Sequence, residues 1–288
     1  MQEIITKAGT LLEALPYIQR FRSQIFVVKY GGSFMDSPDP EERHRVARDI
    51  VFLEAVGINP VVVHGGGKAI TRALEKSGTK SQFIHGYRVT DAANAEIVDR
   101  VLSHQINPEI VSAIQEFGGK ARGFAGPDIF RCRKFSLPNE DVDLGFVGEV
   151  SAVNSEPLRE CIRRSVTPVI SPTALGDDGK IYNCNADIAA AKTAVALKAR
   201  RLVFMSDVPG LLRDPTKSSS LLSHLAVSEV PKWRKKGVIG EGMIPKVDSA
   251  VSAIESGVEK VQFVDGRIPH SVLLEIFTDA GVGTEVVL

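Results

Sequence analysis

Two glycine-rich turns are the segments of this 288-residue chain whose composition points most directly to ligand chemistry. Lys29-Tyr-Gly-Gly-Ser33 and His64-Gly-Gly-Gly-Lys68 each follow a run of β-forming residues, and each contains a lysine. Glycines at the carboxyl end of a parallel strand let the backbone approach a ligand and present its N–H groups to phosphate or carboxylate. Two tight strand-to-helix turns without a ligand are the alternative interpretation. In one parallel sheet both turns would lie at the same edge, where α/β proteins bind ligands.

The familiar nucleotide-binding motifs do not account for these turns. A P-loop ending at Lys68 needs glycine at position 62 and a hydroxyl at position 69, but the residues there are Val62 and Ala69. A dinucleotide fingerprint starting at Gly65 needs glycine at position 70, which is Ile70. The segment around Lys29 is faintly similar to the lysine strand of protein kinases, yet no His-Arg-Asp or Asp-Phe-Gly follows.

Short β-forming runs alternate with longer helical stretches, which predicts an α/β fold with a mostly parallel central sheet. A hairpin is expected at residues 145–153 and a turn at 176–179. The predicted strands are residues 25–29, 60–64, 168–171, 202–205 and 261–264, and the predicted helices are residues 41–56, 69–76, 92–117, 186–197, 244–256 and 271–277. A boundary between two lobes is expected near residues 173–180.

The segment before the first strand differs from the rest. Leu11, Leu15 and Ile18 recur at helical spacing, so residues 10–21 are predicted to form an amphipathic helix kinked by Pro16. Packing of this helix on its own domain is the simplest interpretation, and an interface with another chain is the alternative.

Composition limits the classes of partner. Lys plus Arg and Asp plus Glu both number 35, so no global field would hold the chain on nucleic acid or an anionic membrane. The longest run without a charged residue, 55–67, is shorter than the roughly 20 apolar residues of a transmembrane helix. Three widely spaced cysteines fit neither a disulfide framework nor a zinc site, and no secretory signal is recognisable. We therefore expect a cytoplasmic protein that binds neither nucleic acid nor membranes.

Three further segments give a more specific indication: Gly86-Tyr-Arg-Val-Thr-Asp91, Asn183-Cys-Asn-Ala-Asp187 and Gly242-Met-Ile-Pro-Lys246. Together with the two glycine turns, in this order, they resemble the amino acid kinase family, and within it the branch that phosphorylates N-acetylglutamate. The resemblance runs from about residue 10 to the C-terminus. It implies a three-layer sandwich around the sheet, an amino-acid-substrate lobe at residues 23–175 and an ATP-binding lobe at residues 176–288.

The resemblance implies transfer of the ATP γ-phosphoryl group to the side-chain carboxylate of N-acetyl-L-glutamate, giving an acyl phosphate and ADP in arginine biosynthesis. A carboxylate with a pKa near 4.3 is already ionised at pH 7, so this nucleophile needs no general base. Lys29 and Lys246 are the implied catalytic lysines, which neutralise charge on the transferring group, and Asp187 is the implied carboxylate that holds both of them.

The resemblance also implies two sets of binding residues. The substrate set is Gly66, Gly67, Arg88 and Asn183, with Arg88 clamping the α-carboxylate. The nucleotide set is Gly31, Gly32, Asp207, Gly210, Leu211, Gly242 and Met243. Mg²⁺ is expected on the phosphate oxygens of ATP, with no protein metal site.

The N-terminal segment resembles the mobile helix of arginine-inhibited members of the branch, in which it joins dimers into a hexamer. Residues 1–22 are therefore expected to act in oligomerisation. The implied L-arginine site consists of Tyr17, Glu275, Gly281 and Gly283. A homohexamer with feedback inhibition by L-arginine is the resulting expectation.

Two alternatives remain open at this stage. One is a family member that acts on a different carboxylate or on carbamate; the other is a catalytically silent arginine sensor. The chain departs from the usual family pattern at Lys68-Ala69, beside the expected substrate, and at Gly126-Pro-Asp128.

Overall fold

The computed structural model describes residues 2–32, 35, 37, 39–137, 140–214, 216–240, 242–279 and 281–288. The strands are β1 Ile25–Tyr30, β2 Asn59–His64, β3 Phe83–Ile84, β4 Tyr87–Arg88, β5 Ala121–Phe124, β6 Phe130–Lys134, β7 Val147–Val153, β8 Thr167–Ile170, β9 Thr173–Gly176, β10 Ile181–Cys184, β11 Arg201–Ser206, β12 His224–Ala226, β13 Lys260–Asp265 and β14 Thr284–Val287.

The α-helices are α1 Gln2–Phe21, α2 Pro40–Ala55, α3 Gly67–Lys76, α4 Ala92–Val101, α5 Asn107–Glu116, α6 Gly126–Ile129, α7 Glu156–Arg163, α8 Ala186–Leu197, α9 Val230–Lys235, α10 Ile244–Glu255 and α11 Ser271–Phe277. A π-helical turn, Leu102–Ile106, joins α4 to α5, and short 3₁₀ turns lie at Ser218–Ser220 and Val227–Glu229. None of the helices within the described ranges has the length and apolarity needed to span a bilayer.

The central sheet has the strand order β12-β14-β13-β11-β1-β2-β8-β5. Its pairs are parallel except for β13 with β14. Val27, Val61 and Val63 belong to a core shared with α8 and α10, whereas Phe26, Val28 and neighbours on the other face belong to a core shared with α2, α5 and α11. Because successive side chains of a strand alternate between faces, apolar runs of this kind need helices on both sides. The expected three-layer α/β fold is confirmed.

A second, smaller sheet closes into a barrel of β10, β7, β6 and β9 beside the central sheet. The hairpin expected at residues 145–153 is wrong, because Val147–Val153 is one strand that pairs with β6 and β10. The glycine within it, Gly148, does not turn the chain. A Cβ at this position would lie 2.8 Å from Cys132 Sγ and 2.9 Å from Tyr182 Cβ, so glycine is required by close packing inside the barrel.

Two helices also differ from expectation. The predicted helix 92–117 is continuous in direction but contains the π-helical turn Leu102–Ile106, which periodicity over so long a stretch does not reveal. The N-terminal helix begins at Gln2 rather than at residue 10, and Pro16 lies inside it. The predicted helices 186–197 and 271–277 match α8 and α11 at both ends.

Candidate active site

Asp187 lies between two lysines that come from distant parts of the chain. Its Oδ1 is 3.1 Å from Lys29 Nζ, and its Oδ2 accepts a hydrogen bond from Lys246 Nζ at 2.6 Å. Lys29 is in the carboxyl-terminal half of β1, while Asp187 and Lys246 are in the first turns of α8 and α10. The three predicted catalytic residues are therefore in direct contact.

Burial makes this cluster electrostatically strong. Asp187 and Lys29 are only 6% and 8% exposed. Burial disfavours the Asp187 carboxylate, but the two ammonium groups outweigh this effect and lower its pKa to about 2. Burial lowers the pKa of Lys29; the Asp187 carboxylate opposes this shift, and the Lys246 ammonium adds to it. Two ammonium groups against one carboxylate leave a surplus of positive charge, which suits a site for a highly charged anion.

A cleft of about 360 Å³ opens on one side of the cluster. Its lining includes all four predicted substrate residues and the two catalytic residues of the substrate side: Gly66, Gly67, Arg88, Asn183, Lys29 and Asp187. Lys68, the departure from the family pattern, also lines it. The structure thus brings the predicted substrate residues to one cavity next to the buried lysine.

Arg88 is held in this cleft by several neighbours. Its Nη2 donates to Gly67 O at 2.9 Å and to Thr71 Oγ1 at 3.0 Å, its Nη1 donates to Ser81 Oγ, and its guanidinium lies 4.6 Å from the centre of the Phe83 ring. A cation in a low-dielectric environment with a fixed donor fork is suited to bidentate binding of a carboxylate.

Asn183 is at the end of β10, where its Nδ2 donates to Thr90 Oγ1 at 3.4 Å. It does not cap the following helix. That role belongs to Asn185, whose Oδ1 accepts from the N–H groups of Asp187 at 2.8 Å and Ile188 at 3.3 Å. The cap holds the first turn of α8, and Asp187 in it, at the edge of the cleft. Asn185 was visible in the Asn183–Asp187 motif but was not singled out as a functional residue.

A second cleft, of about 430 Å³, opens on the other side of the lysines. It is lined by Lys246 and by five residues of the predicted nucleotide set: Gly31, Gly32, Asp207, Gly242 and Met243. The two clefts share Lys29, Gly31, Gly32 and Asp207, so they meet at the lysine cluster. Ser33, which belongs to the first glycine turn, lies outside the described residues.

The other two residues of the nucleotide set are not part of either cleft lining. Leu211 is fully buried in the apolar core, and its N–H donates to Thr284 Oγ1 at 2.9 Å. Gly210 has φ +126°, and a Cβ there would lie 2.4 Å from Thr284 Oγ1. These residues hold the loop after β11 against β14, and sequence alone does not separate such a support from a ligand contact.

The four residues of the implied arginine site lie in the loop after α11 or next to it. Glu275 is buried, and its carboxylate accepts hydrogen bonds from Gln262 Nε2 at 2.9 Å, Val282 N at 2.7 Å and Gly283 N at 3.0 Å. Tyr17 of α1 donates to Asp279 Oδ1, and Gly281 adopts φ +61°, where a Cβ would lie 2.8 Å from Glu275 Oε2. The Glu275 carboxylate, expected to be available for a cation, thus binds the backbone of Val282 and Gly283 in this structure. Ala280 lies outside the described residues.

Comparison with known proteins yields one family. A model of the amino acid kinase family matches residues 24–265. Curated relatives named acetylglutamate kinase include those of Clostridium beijerinckii, 48% identical over 97% of this chain and 98% of its own length, and Aquifex aeolicus, 45% identical over the full length of both.

Solved structures agree on the fold. N-acetylglutamate synthase from Neisseria gonorrhoeae, complexed with coenzyme A and L-arginine, matches with a TM-score of 0.80 at 25% identity over 97% of this chain. This chain spans 65% of the length of that synthase. Carbamate kinase of Giardia matches with a TM-score of 0.63 at 13% identity, over 92% of this chain and 98% of its own, which is a likeness of fold alone.

Proposed function

Since this chain belongs to the amino acid kinase family, we propose that it transfers the γ-phosphoryl group of ATP to the side-chain carboxylate of N-acetyl-L-glutamate, producing N-acetyl-L-glutamyl 5-phosphate and ADP. The observation that carries the proposal is the Lys29–Asp187–Lys246 cluster, placed where the two clefts meet. The choice of N-acetylglutamate is supported by the names of the relatives, which are 43–48% identical to this chain.

The chemistry required of the protein is positioning and charge neutralisation. The acceptor carboxylate is ionised at neutral pH, so no side chain has to remove a proton from it. Lys29 and Lys246 stabilise the negative charge on the transferring phosphoryl group from opposite sides, and Asp187 keeps both ammonium groups at fixed positions. The same two lysines lie next to the charge of the acyl-phosphate product until that product is released.

The second cleft is the proposed ATP site. The backbone of Gly31 and Gly32 faces the phosphates there, and Asp207, Gly242 and Met243 line the remainder. No group of three or more His, Cys, Asp or Glu side chains suited to a metal occurs in the part of the chain that the structure describes. A Mg²⁺ ion would be held in this cleft mainly by the phosphate oxygens of ATP and by water, and it would supply positive charge to the phosphates during the transfer.

An ADP-release assay tests the proposed reaction. With ATP and Mg²⁺ present, N-acetylglutamate is expected to give the highest kcat/KM among N-acetylglutamate, glutamate, aspartate and carbamate. Preference for another acceptor would assign the chain to a different branch of the family. Absence of turnover with all four would favour the silent sensor, although a sensor has no evident use for two lysines held on a buried carboxylate.

Replacing the cleft arginine tests the substrate lobe. Arg88→Ala is expected to raise KM for N-acetylglutamate about 10- to 100-fold, as befits the loss of a charged hydrogen bond worth about 1.5–3 kcal/mol, and to leave KM for ATP nearly unchanged. Steady-state kinetics with each substrate varied in turn measures both constants. Arg100→Ala, at an exposed position of α4, is the matched control. If only the affinity for ATP fell, Arg88 would belong to the ATP site and its assignment to N-acetylglutamate would be wrong.

We further propose that the chain forms a homohexamer from dimers and is inhibited by L-arginine. Support comes from α1, where Leu11, Leu12 and Leu15 are 70%, 67% and 43% exposed in the isolated chain. Exposed apolar surface of this kind commonly marks an interface with another chain. The arginine complex of the structurally similar synthase supports an arginine site on this fold.

The proposed setting is the cytoplasm. The described cysteines, Cys132, Cys161 and Cys184, are free and buried, which fits a reducing compartment. The expected partners are small molecules and further copies of this chain, and the balanced charge disfavours binding to nucleic acid or to anionic membranes.

A further inference from the structure

His64, the last residue of β2, is fully buried directly before the glycine turn of the substrate cleft, and the reaction described above gives it no role. Its Nδ1 lies 2.8 Å from the carbonyl oxygen of Gly65, and its Nε2 lies 3.3 Å from Asn107 Nδ2. A buried imidazole with a partner on each nitrogen is held in one orientation.

These partners assign the proton on the ring. A carbonyl oxygen only accepts, so Nδ1 carries the hydrogen and donates to Gly65 O. Nε2 then accepts from the Asn107 amide, whose nitrogen also donates to Val169 O at 3.0 Å. Burial lowers the pKa of His64 to about 4, so the ring is neutral at pH 7 and has one hydrogen to donate.

The hydrogen bond to Gly65 O has a consequence for the next residue. In a trans peptide the C=O of one residue and the N–H of the following residue point in opposite directions. Because Gly65 O is directed at the buried imidazole, the Gly66 N–H is directed away from it, and Gly66 itself lines the substrate cleft. Within the described ranges no backbone carbonyl accepts a hydrogen bond from this N–H.

The π-helical turn Leu102–Ile106 supports the same peptide from another side. A Cβ on Gly66 would lie 2.4 Å from Ile106 Cδ1 and 2.7 Å from Leu102 Cδ2, so both side chains pack on the glycine itself. Asn107 is the next residue along the chain and reaches His64. The π-turn and the first residue of α5 thus place three side chains, those of Leu102, Ile106 and Asn107, against residues 64–66. Such turns are frequent at functional sites.

We propose that His64 is a positioning residue for the phosphoryl transfer: braced by Asn107, its ring fixes the Gly65–Gly66 peptide so that the Gly66 N–H donates to an anionic oxygen of the bound amino acid substrate. This role rests on the proposed function. The role requires that the Nδ1–H group of His64 donates to Gly65 O and that the ring stays neutral throughout the reaction.

Two substitutions of similar polarity distinguish positioning of the Gly65–Gly66 peptide by His64 from a role of the His64 side chain in packing alone. In His64→Asn the amide nitrogen takes the place of Nδ1 and still donates to Gly65 O, whereas in His64→Gln the amide lies near the position of Nε2. We expect kcat/KM for N-acetylglutamate to fall about 10-fold or more in His64→Gln but by less than about 3-fold in His64→Asn, as for a lost charge-assisted hydrogen bond. KM for ATP should stay within about 2-fold in both variants. His104→Asn, an exposed position of the π-turn, is the matched control.

Equal losses in the two variants, with equal losses of melting temperature, would overturn the proposal in favour of a packing role. A second measurement needs neither variant nor substrate. In ¹⁵N NMR of the wild-type protein we expect a neutral Nδ1–H imidazole for His64 that does not titrate between about pH 5.5 and 8. An Nε2–H tautomer, or a midpoint near 6.5, would contradict the positioning role and leave the kinase assignment intact. Conversely, the protein could show the Nδ1–H signal and yet phosphorylate none of the four acceptors of the ADP-release assay. That result would refute the proposed function and leave the hydrogen bond from His64 to Gly65 O established.

Discussion

Lys29→Ala and Lys246→Ala are each expected to lower kcat by about 100-fold or more, which corresponds to about 3 kcal/mol of lost transition-state stabilisation. The reason is the geometry of the cluster, in which both ammonium groups are within 3.1 Å of the same buried carboxylate and line the cleft expected to hold the phosphates. Removing either one leaves the Asp187 carboxylate with a single positive partner next to the transferring group. Single-turnover and steady-state ADP release measure the effect on kcat.

The control for these variants is Lys192→Ala, because Lys192 is exposed on α8, the helix that carries Asp187. It should retain the kcat of the wild-type protein. Thermal melting distinguishes loss of fold from loss of chemistry, since Lys29 is buried and its removal disturbs a buried ion pair. If both lysine variants turned over at the wild-type rate, the assignment of the catalytic cluster would be wrong.

Deletion of residues 1–22 is expected to convert an arginine-inhibited hexamer into an active dimer that does not respond to arginine. The deletion removes the exposed leucines of α1 and also Tyr17, which contacts the loop after α11. An effector that binds one conformation of the assembly more tightly shifts the whole equilibrium, so losing the assembly removes the response. Light scattering measures the assembly, and the ADP-release assay with and without L-arginine measures the response.

The structure indicates a sharper variant for this test. Phe21 is fully buried, its ring lies 5.3 Å from that of Phe26, and the Arg201 guanidinium lies 4.5 Å from its centre. Truncation through residue 22 therefore also opens the core. Leu11→Ser, Leu12→Ser and Leu15→Ser combined leave Phe21 in place and should likewise give dimers. A full-length dimer would refute the assembly, whereas unchanged activity in millimolar arginine would refute the feedback and leave the kinase assignment standing.

Local sequence patterns determined most of the central sheet and its helices. Uninterrupted apolar runs predicted β1, β2, β8, β11 and β13 to within a residue or two, and the predicted bounds of α8 and α11 match the structure. These elements can be predicted from the sequence because burial of both faces of a strand, or of one stripe of a helix, imposes a pattern of apolar residues along the chain. The resemblance carried by five short motifs likewise predicted a set of catalytic and substrate residues, and the structure brings these residues together at two adjoining clefts.

Local sequence patterns did not predict the small barrel. Its strands β6, β9 and β10 are four or five residues long and have no counterpart in the predicted elements, and Gly148 lies within the stretch 145–153 that was predicted as a hairpin. A strand this short contains too few alternations to establish a period. The requirement for glycine at position 148 comes from Cys132 and Tyr182, which lie on other strands.

By itself, then, the sequence determined the α/β class, the glycine turns and the residue types needed for phosphoryl transfer, because these depend on neighbours along the chain. Only the tertiary structure decided which of those residues meet. Asp187 and Lys246 are 59 positions apart, and His64 and Asn107 are 43 apart, yet each pair forms a hydrogen bond. Leu211 belongs to a motif of the expected nucleotide lobe but is buried against Thr284. Contacts of this kind are set by how sheets and helices pack, and local propensity carries no information about them.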